Sequence, residues 1–187
     1  MPNPTRKTSA TKTITGCALL AAISIVMARL LSFATPGGVR WSLDKFPLFL
    51  AGMLFGPVMG GLTGFAADTL GSLMQFGFNP ILCPPAILYG VFGGLFRWYL
   101  KKNPSVFRLA VSYLCPIVFG SILYQSCALT HLYFEGTFRE GLLYYLGTRS
   151  VQFAIMLVVE VAVIYSLMKV KVFSRLGLWP PVKKTSR

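Results

Sequence analysis

Three charged side chains sit inside otherwise apolar stretches of this chain: Arg29, Asp68 and Glu160. A fourth, Arg149, stands at the start of another. A charge placed among apolar residues of membrane-spanning length is costly and marks a functional site by default. Arg149, Gln152, Met156 and Glu160 recur at helical spacing and share one face. That face must meet protein or a water-filled space. Gly60, Gly64, Asp68, Gly71 and Gln75 make a second such face, in which small residues admit a neighbouring helix and Asp68 projects into the space they leave. By their depth, Arg29, Asp68 and Arg149 are expected to meet near one outward-facing pocket. The alternative for Arg29 and Asp68 is a structural ion pair, and for Glu160 a brace between helices.

Other chemistry finds little support. No GxxxxGK[ST], HExxH or GxSxG run is present. The lone histidine, His131, has no ligand partner nearby in sequence, and Cys17, Cys83, Cys115 and Cys127 form no CxxC pair, so no metal site is expected. A disulfide stays open; small packing residues are the preferred reading of the cysteines. An intramembrane enzyme would have to use His131 and Glu160, which belong to different depths.

The elements that must position these residues are transmembrane helices. Apolar residues are 55% of the 187 and charged residues 12%, against about 25% charged in soluble domains. The net charge of +13 suggests nucleic acid, but the cations lie between apolar runs rather than on one face, so no nucleic-acid partner is expected. Spans of about 20 residues are read at 14–34, 57–76, 86–100, 106–129 and 145–168, with a short one at 46–55 cut off by Gly56-Pro57. The first resembles a signal peptide's core, but Arg29 interrupts it and no cleavage site follows, so it is read as retained. The short second span needs shielded ends. Lys and Arg concentrate before residue 14, across 97–108 and from 169 onward. By the positive-inside rule both termini are cytoplasmic. At about 1.5 Å of rise per residue, Arg29 and Asp68 fall in the outer half of the bilayer. The organisation is a basic tail (1–13), a six-helix membrane domain (14–168) and a second basic tail (169–187), with no evident internal repeat. The tails are read as charge anchors on the inner leaflet. Outer aromatics, Trp41, Phe76, Phe78, Tyr133 and Phe134, are read as an interfacial belt, with a stacking platform as the alternative.

The pattern ALLAAISIVMARLLS at 18–32, GGVR at 37–40, FPLFLAGMLFGPVMGGLTGFAADTLG at 46–71 and GTRSVQ at 147–152 resembles the substrate-binding S component of energy-coupling factor (ECF) vitamin transporters, most nearly the folate-specific members. Arg40 and the Thr148-Arg149 pair carry the folate leaning. The resemblance covers about 14–168. It implies an all-α bundle of six transmembrane helices in the bacterial plasma membrane, with an outward-facing vitamin site. It also implies partners, a transmembrane scaffold subunit and two ATPases, which use the ATP; this chain needs no cofactor. Arg40, Arg149, Arg29, Asp68 and Gln152 are the implied substrate residues. Ala18 and Ala22, with a stripe of Ala21, Ser24 and Ala28 beside them, are the implied scaffold contact. One departure matters. Folate members carry a P-G-F-T-L-S-like run after the third span, where this chain has PILCPPAIL from Pro80. Thiamine or a pyrimidine precursor is therefore kept as an alternative ligand.

Overall fold

The computed structural model describes residues 10–34, 40–74, 77, 79–102 and 105–169. Most of both basic tails, the Pro36-Gly37-Gly38 turn, Gln75, Phe76 and Phe78 lie outside the described residues. Helices dominate: α1 (Ala10–Leu30), α2 (Lys45–Phe55), α3 (Pro57–Leu73), α4 (Pro84–Leu95), α5 (Arg97–Lys102), α6 (Val106–Pro116), α7 (Gln125–Tyr133) and α8 (Phe138–Lys169). A π-helical stretch, Ile117–Tyr124, joins α6 to α7, so that 106–133 runs as one rod. Among the described residues, this rod, α1 and α8 are long and apolar enough to cross a bilayer, and α2 and the 80–95 segment are shorter apolar helices.

The expected break at Gly56-Pro57 is present. Gly56 has φ +104°, a conformation open to glycine and strained for other residues, and Pro57 opens α3 without needing an N–H partner. Some boundaries differ from expectation. α1 begins and ends four residues earlier than the 14–34 span. The expected 86–100 span is two helices, because the chain turns at Phe96 between α4 and α5. α8 starts at Phe138 rather than 145: Arg139 and Glu140 lower the local hydropathy but do not oppose helical hydrogen bonding. The connection between α1 and α2 also holds a two-stranded antiparallel ribbon, Phe33–Ala34 against Arg40–Trp41.

α2, α3 and α4 are fused by glycines. A Cβ on Gly52 or Gly60 would run into the carbonyl oxygen of Gly90, one on Gly64 into that of Ala86, and one on Gly93 into that of Phe49. Backbones this close gain dense van der Waals contact, the main source of helix association where lipid removes the hydrophobic drive. Around them lies an aromatic core: Phe49, Tyr89 and Tyr113 are fully buried, with ring centroids 4.9 Å (Phe49–Tyr113) and 5.5 Å (Tyr89–Tyr113) apart. Glu160 is buried in the same region and accepts a 2.8 Å hydrogen bond from Tyr113. It ties α8 to α6. The four cysteines are free thiols, Cys17 and Cys83 buried and Cys127 exposed.

Candidate functional site

α2 has 11 residues and α3, which follows it across the Gly56-Pro57 break and packs beside it, has 17. At about 1.5 Å per residue, α3 rises roughly 9 Å past the first residue of α2. The space above its start is a cavity of about 300 Å³. It lies at the end of the bundle where α1 and α3 finish and α2 and α4 begin. Ser24, Ala28 and Arg29 enter it from α1, Asp68 and Gly71 from α3, and Leu82, Pro85 and Ala86 from around the start of α4. Gln125 and Leu129 of α7 and Arg149, Gln152 and Phe153 of α8 close the far side. Ser42, Asp44 and Lys45 lead into α2 at its base.

Four residues expected at a binding site from sequence thus line one space: Arg29, Asp68, Arg149 and Gln152. The fifth, Arg40, belongs to the ribbon, and its side chain lies outside the described residues. Glu160 and Met156 share the α8 face but lie below the cavity, in the core. His131 is exposed on α7, and Glu160 is 1% exposed, so the pair proposed for an intramembrane enzyme does not form a site.

Each cavity side chain is held by a different device. The Arg29 guanidinium donates to the carbonyl of Gly71 rather than to Asp68, so the ion pair considered from sequence is replaced by a tie between α1 and α3. A Cβ at Gly71 would meet only Ile25, at 4.0 Å, so the tie does not depend on glycine there. Asp68 keeps one carboxylate oxygen, Oδ2, buried without a hydrogen-bond partner, while the Cys83 thiol faces its carboxyl group. An anionic oxygen in that position is an acceptor awaiting a donor.

Arg149 depends on the π-helical stretch. The N–H of Gln125 bonds the carbonyl of Gly120, five residues back. Where this register returns to the α spacing, one carbonyl loses its backbone partner. Arg149 Nε donates to the carbonyl of Ser121 at 3.0 Å, and its Nη2 donates to Gln125 Oε1 at 2.7 Å. The guanidinium also packs over the Phe153 ring, 5.3 Å from its centroid. A backbone carbonyl and two side chains thus fix the plane of the fork before any ligand arrives.

Asp44 and Lys45 were missed as site residues because they read as an outer loop. Lys45 pairs with Asp44 at 2.9 Å, Ser42 donates to the same carboxylate at 2.5 Å, and Ser24 of α1 donates to the Asp44 carbonyl at 2.7 Å. Burial opposes the charge on Asp44, but the Lys45 ammonium and the Ser42 hydroxyl outweigh it and hold the carboxyl below its ordinary range. The signal that could have found them is the brevity of α2, which sets its first turn at depth.

Ala18 and Ala22 are exposed on the outer face of α1, among Leu19, Ile23 and Val26. Of the stripe beside them, Ala21 and Ser24 are buried against the bundle.

The folate transporter FolT of Clostridium novyi (strain NT) is 29% identical over 161 residues, which span 81% of this chain and 85% of that protein. The solved structure described as the crystal structure of FolT bound with folic acid matches with a TM-score of 0.71 and 26% identity, over 84% of this chain and 93% of that one. The model of a family described as ECF transporter, substrate-specific component, matches residues 12–168, and the chain belongs to that family.

Proposed function

We propose that this chain is the folate-binding subunit of an ECF transporter, taking the vitamin into the cavity from outside the cell and delivering it through a separate energising module. One observation carries the reading. A single polar cavity gathers the cations Arg29, Lys45 and Arg149 with an aspartate whose Oδ2 has no partner. The glutamate tail of folate supplies carboxylates for the cations, and its pterin ring supplies N–H donors for Asp68. The volume falls at the lower end of the usual range for small-molecule sites, about 300–1,000 Å³, so the tail extends toward the ribbon that carries Arg40. Both relatives described above are folate proteins, which favours the same ligand here.

The membrane arrangement is part of the proposal. Six spans, with α5 lying at the inner surface, place both termini in the cytoplasm of a bacterial cell and open the cavity outward. The partners are a transmembrane scaffold subunit and two ATPases, which consume the ATP. A second ligand reading rests on Leu82 and Cys83, whose segment departs from the folate-type pattern beside the cavity. It is a different ring vitamin. Thiamine, a cation, would be opposed by three basic side chains.

The test is mass spectrometry of small molecules that co-purify with the detergent-solubilised protein, followed by calorimetry with the compound found. A folate recovered at near one equivalent and rebinding after removal is the expected result. Recovery of thiamine or a pyrimidine, with no heat from folate, would replace the ligand and leave the family unchanged.

A further inference from the structure

The end of the bundle opposite the cavity holds two arginines whose donors are only partly answered. Arg97 opens α5 and Arg108 lies in the first turn of α6. Arg97 Nε and Arg108 Nη1 are both buried without a hydrogen-bond partner. The Arg108 guanidinium is stacked on Tyr99, 4.8 Å from the ring centroid. Arg97 reaches toward the α2–α3 break, where a Cβ on Gly56 would lie 3.9 Å from its Nη1. One nitrogen of each half-buried guanidinium has thus lost water without gaining an acceptor, so a nearby anion lowers its energy more than it would that of a fully hydrated cation.

No acidic side chain of this chain lies at that end. The five acidic residues are Asp44, Asp68, Glu135, Glu140 and Glu160. The first two belong to the cavity end, the next two to the turn before α8 and its first residues, and Glu160 to the core. The same end adds Lys12, Lys101, Lys102 and Lys169. Beside the cations stand aromatic rings with no protein over them: Trp98 is 77% exposed and Phe107 75% exposed. Lys102 Nζ lies 5.9 Å from the Trp98 ring centre, and Lys169 Nζ lies 4.6 Å from that of Tyr165. Cations beside exposed rings fit the polar boundary of a bilayer, where the ring enters the acyl edge and the cation meets a phosphate.

We propose that α5 and the start of α6 form a binding site for an anionic phospholipid, its headgroup phosphate held by Arg97 and Arg108 and its acyl chains lying against Trp98 and Phe107. The orientation given under Proposed function puts this site in the inner leaflet, but the geometry of the site itself does not need that orientation. Charge complementarity selects the lipid class: among the described residues, six cations and no acidic side chain at this end favour a headgroup of net negative charge over a zwitterionic one. Free phosphate shares the headgroup chemistry but leaves the rings uncovered.

The experiment is native mass spectrometry of the full chain released from detergent after titration with phosphatidylglycerol or phosphatidylcholine. Phosphatidylglycerol should be retained in preference. Arg97→Gln and Arg108→Gln should each weaken that retention about fivefold, the worth of one cation near an anionic surface, and Trp98→Ala should weaken it further with either arginine intact. Lys12→Gln and Lys169→Gln, at the same end, should change it less. Equal retention of both lipids, or no loss in the arginine variants, overturns the proposal. So does inorganic phosphate that raises the melting temperature as much as the lipid does, which would make the site one for free phosphate. Loss of scaffold capture with lipid retention intact would make the surface a protein interface and also overturn it. Retention in detergent is blind to orientation and to the vitamin, so failure here leaves the folate reading standing, and the reverse also holds.

Discussion

One face of α3 does two opposite jobs along its length. At Gly60 and Gly64 the backbone of α3 lies directly on α4, against the carbonyls of Gly90 and Ala86. One turn further the same face carries Asp68 and opens onto the cavity beside Cys83. Glycine at four-residue spacing closes the helices together, and the first larger, charged residue in the series marks where they must part. The lower half of the α2–α3–α4 unit therefore has no room to spare, and the upper half holds a cavity of about 300 Å³ with a buried unpartnered oxygen. Rigidity below and vacancy above belong together, because a polar cavity keeps its shape only if the helices that frame it cannot slide.

The sharpest way to break that comparison is to add one methyl group to each half. Gly90→Ala puts a Cβ against the backbone of Gly60, which cannot rotate away as a side chain would. The expected loss is at the top of the overpacking range of about 1–3 kcal/mol or beyond it, seen as a large fall in melting temperature in detergent. Gly71→Ala, on the open half, meets only Ile25 at ordinary contact distance. It should leave melting unchanged or slightly raised, since alanine is the better helix former by about 1 kcal/mol. Equal effects at the two positions would show that the glycines do not divide the bundle in this way.

An effect of similar size, read in binding, is expected at Arg149. Its fork is fixed by Ser121 and Gln125, so Arg149→Ala removes a preset cation from the cavity. Losing one partner of a desolvated charge pair costs roughly 2–5 kcal/mol, and calorimetry with folate should register that loss. Arg149→Lys keeps the charge but not the bidentate geometry, and should recover only part of it. Folate affinity equal to the parent's in Arg149→Ala would take this residue out of the ligand contacts.

Asp68 separates binding from stability. Arg29 is engaged by Gly71, and Asp68 Oδ2 has no hydrogen-bond partner. Asp68→Asn should therefore weaken the vitamin by about 1.5–3 kcal/mol, the worth of a charged hydrogen bond, while melting without vitamin stays as it was. A fall in melting without vitamin, with affinity unaltered, would restore the structural ion pair as the role of this residue.

What the sequence made legible follows from contrast. Arg29, Asp68 and Arg149 stand out because a charge in an apolar run has few innocent explanations, and Gly56-Pro57 stands out because no other pair ends one helix and starts the next so sharply. Asp44 and Lys45 were hidden because hydropathy measures composition and not depth. A charge pair before an apolar run reads as a surface loop unless the run is recognised as too short to begin at the surface. The π-helical stretch was hidden for a different reason. IVFGSILY is an ordinary apolar string that packs against α4 and α8, and nothing in its composition marks a changed hydrogen-bond register. Pro116, which cannot donate to the helix ladder, was the one available hint. The carbonyl that orients Arg149 could not have been anticipated without it.

The smallest change expected in the isolated protein is also the one that tests the outside of the bundle against its inside. Ala18 and Ala22 are exposed, whereas Ala21 and Ser24, on the neighbouring stripe of the same helix, are buried. Small residues let helices approach closely in lipid, yet these two stay exposed among the described residues. In the transporter proposed above, they are the expected contact for a helix of the scaffold subunit. Ala18→Trp should therefore leave melting and folate affinity unaltered and abolish capture by the scaffold subunit together with ATP-driven uptake. Ala21→Trp, one residue away, should instead lower melting, since it drives a large ring into the packed side of α1. If both variants assemble and transport normally, α1 does not carry the contact. If Ala18→Trp destabilises the isolated protein as much as Ala21→Trp does, the two stripes are not distinct, and the exposed one has a partner within its own bundle.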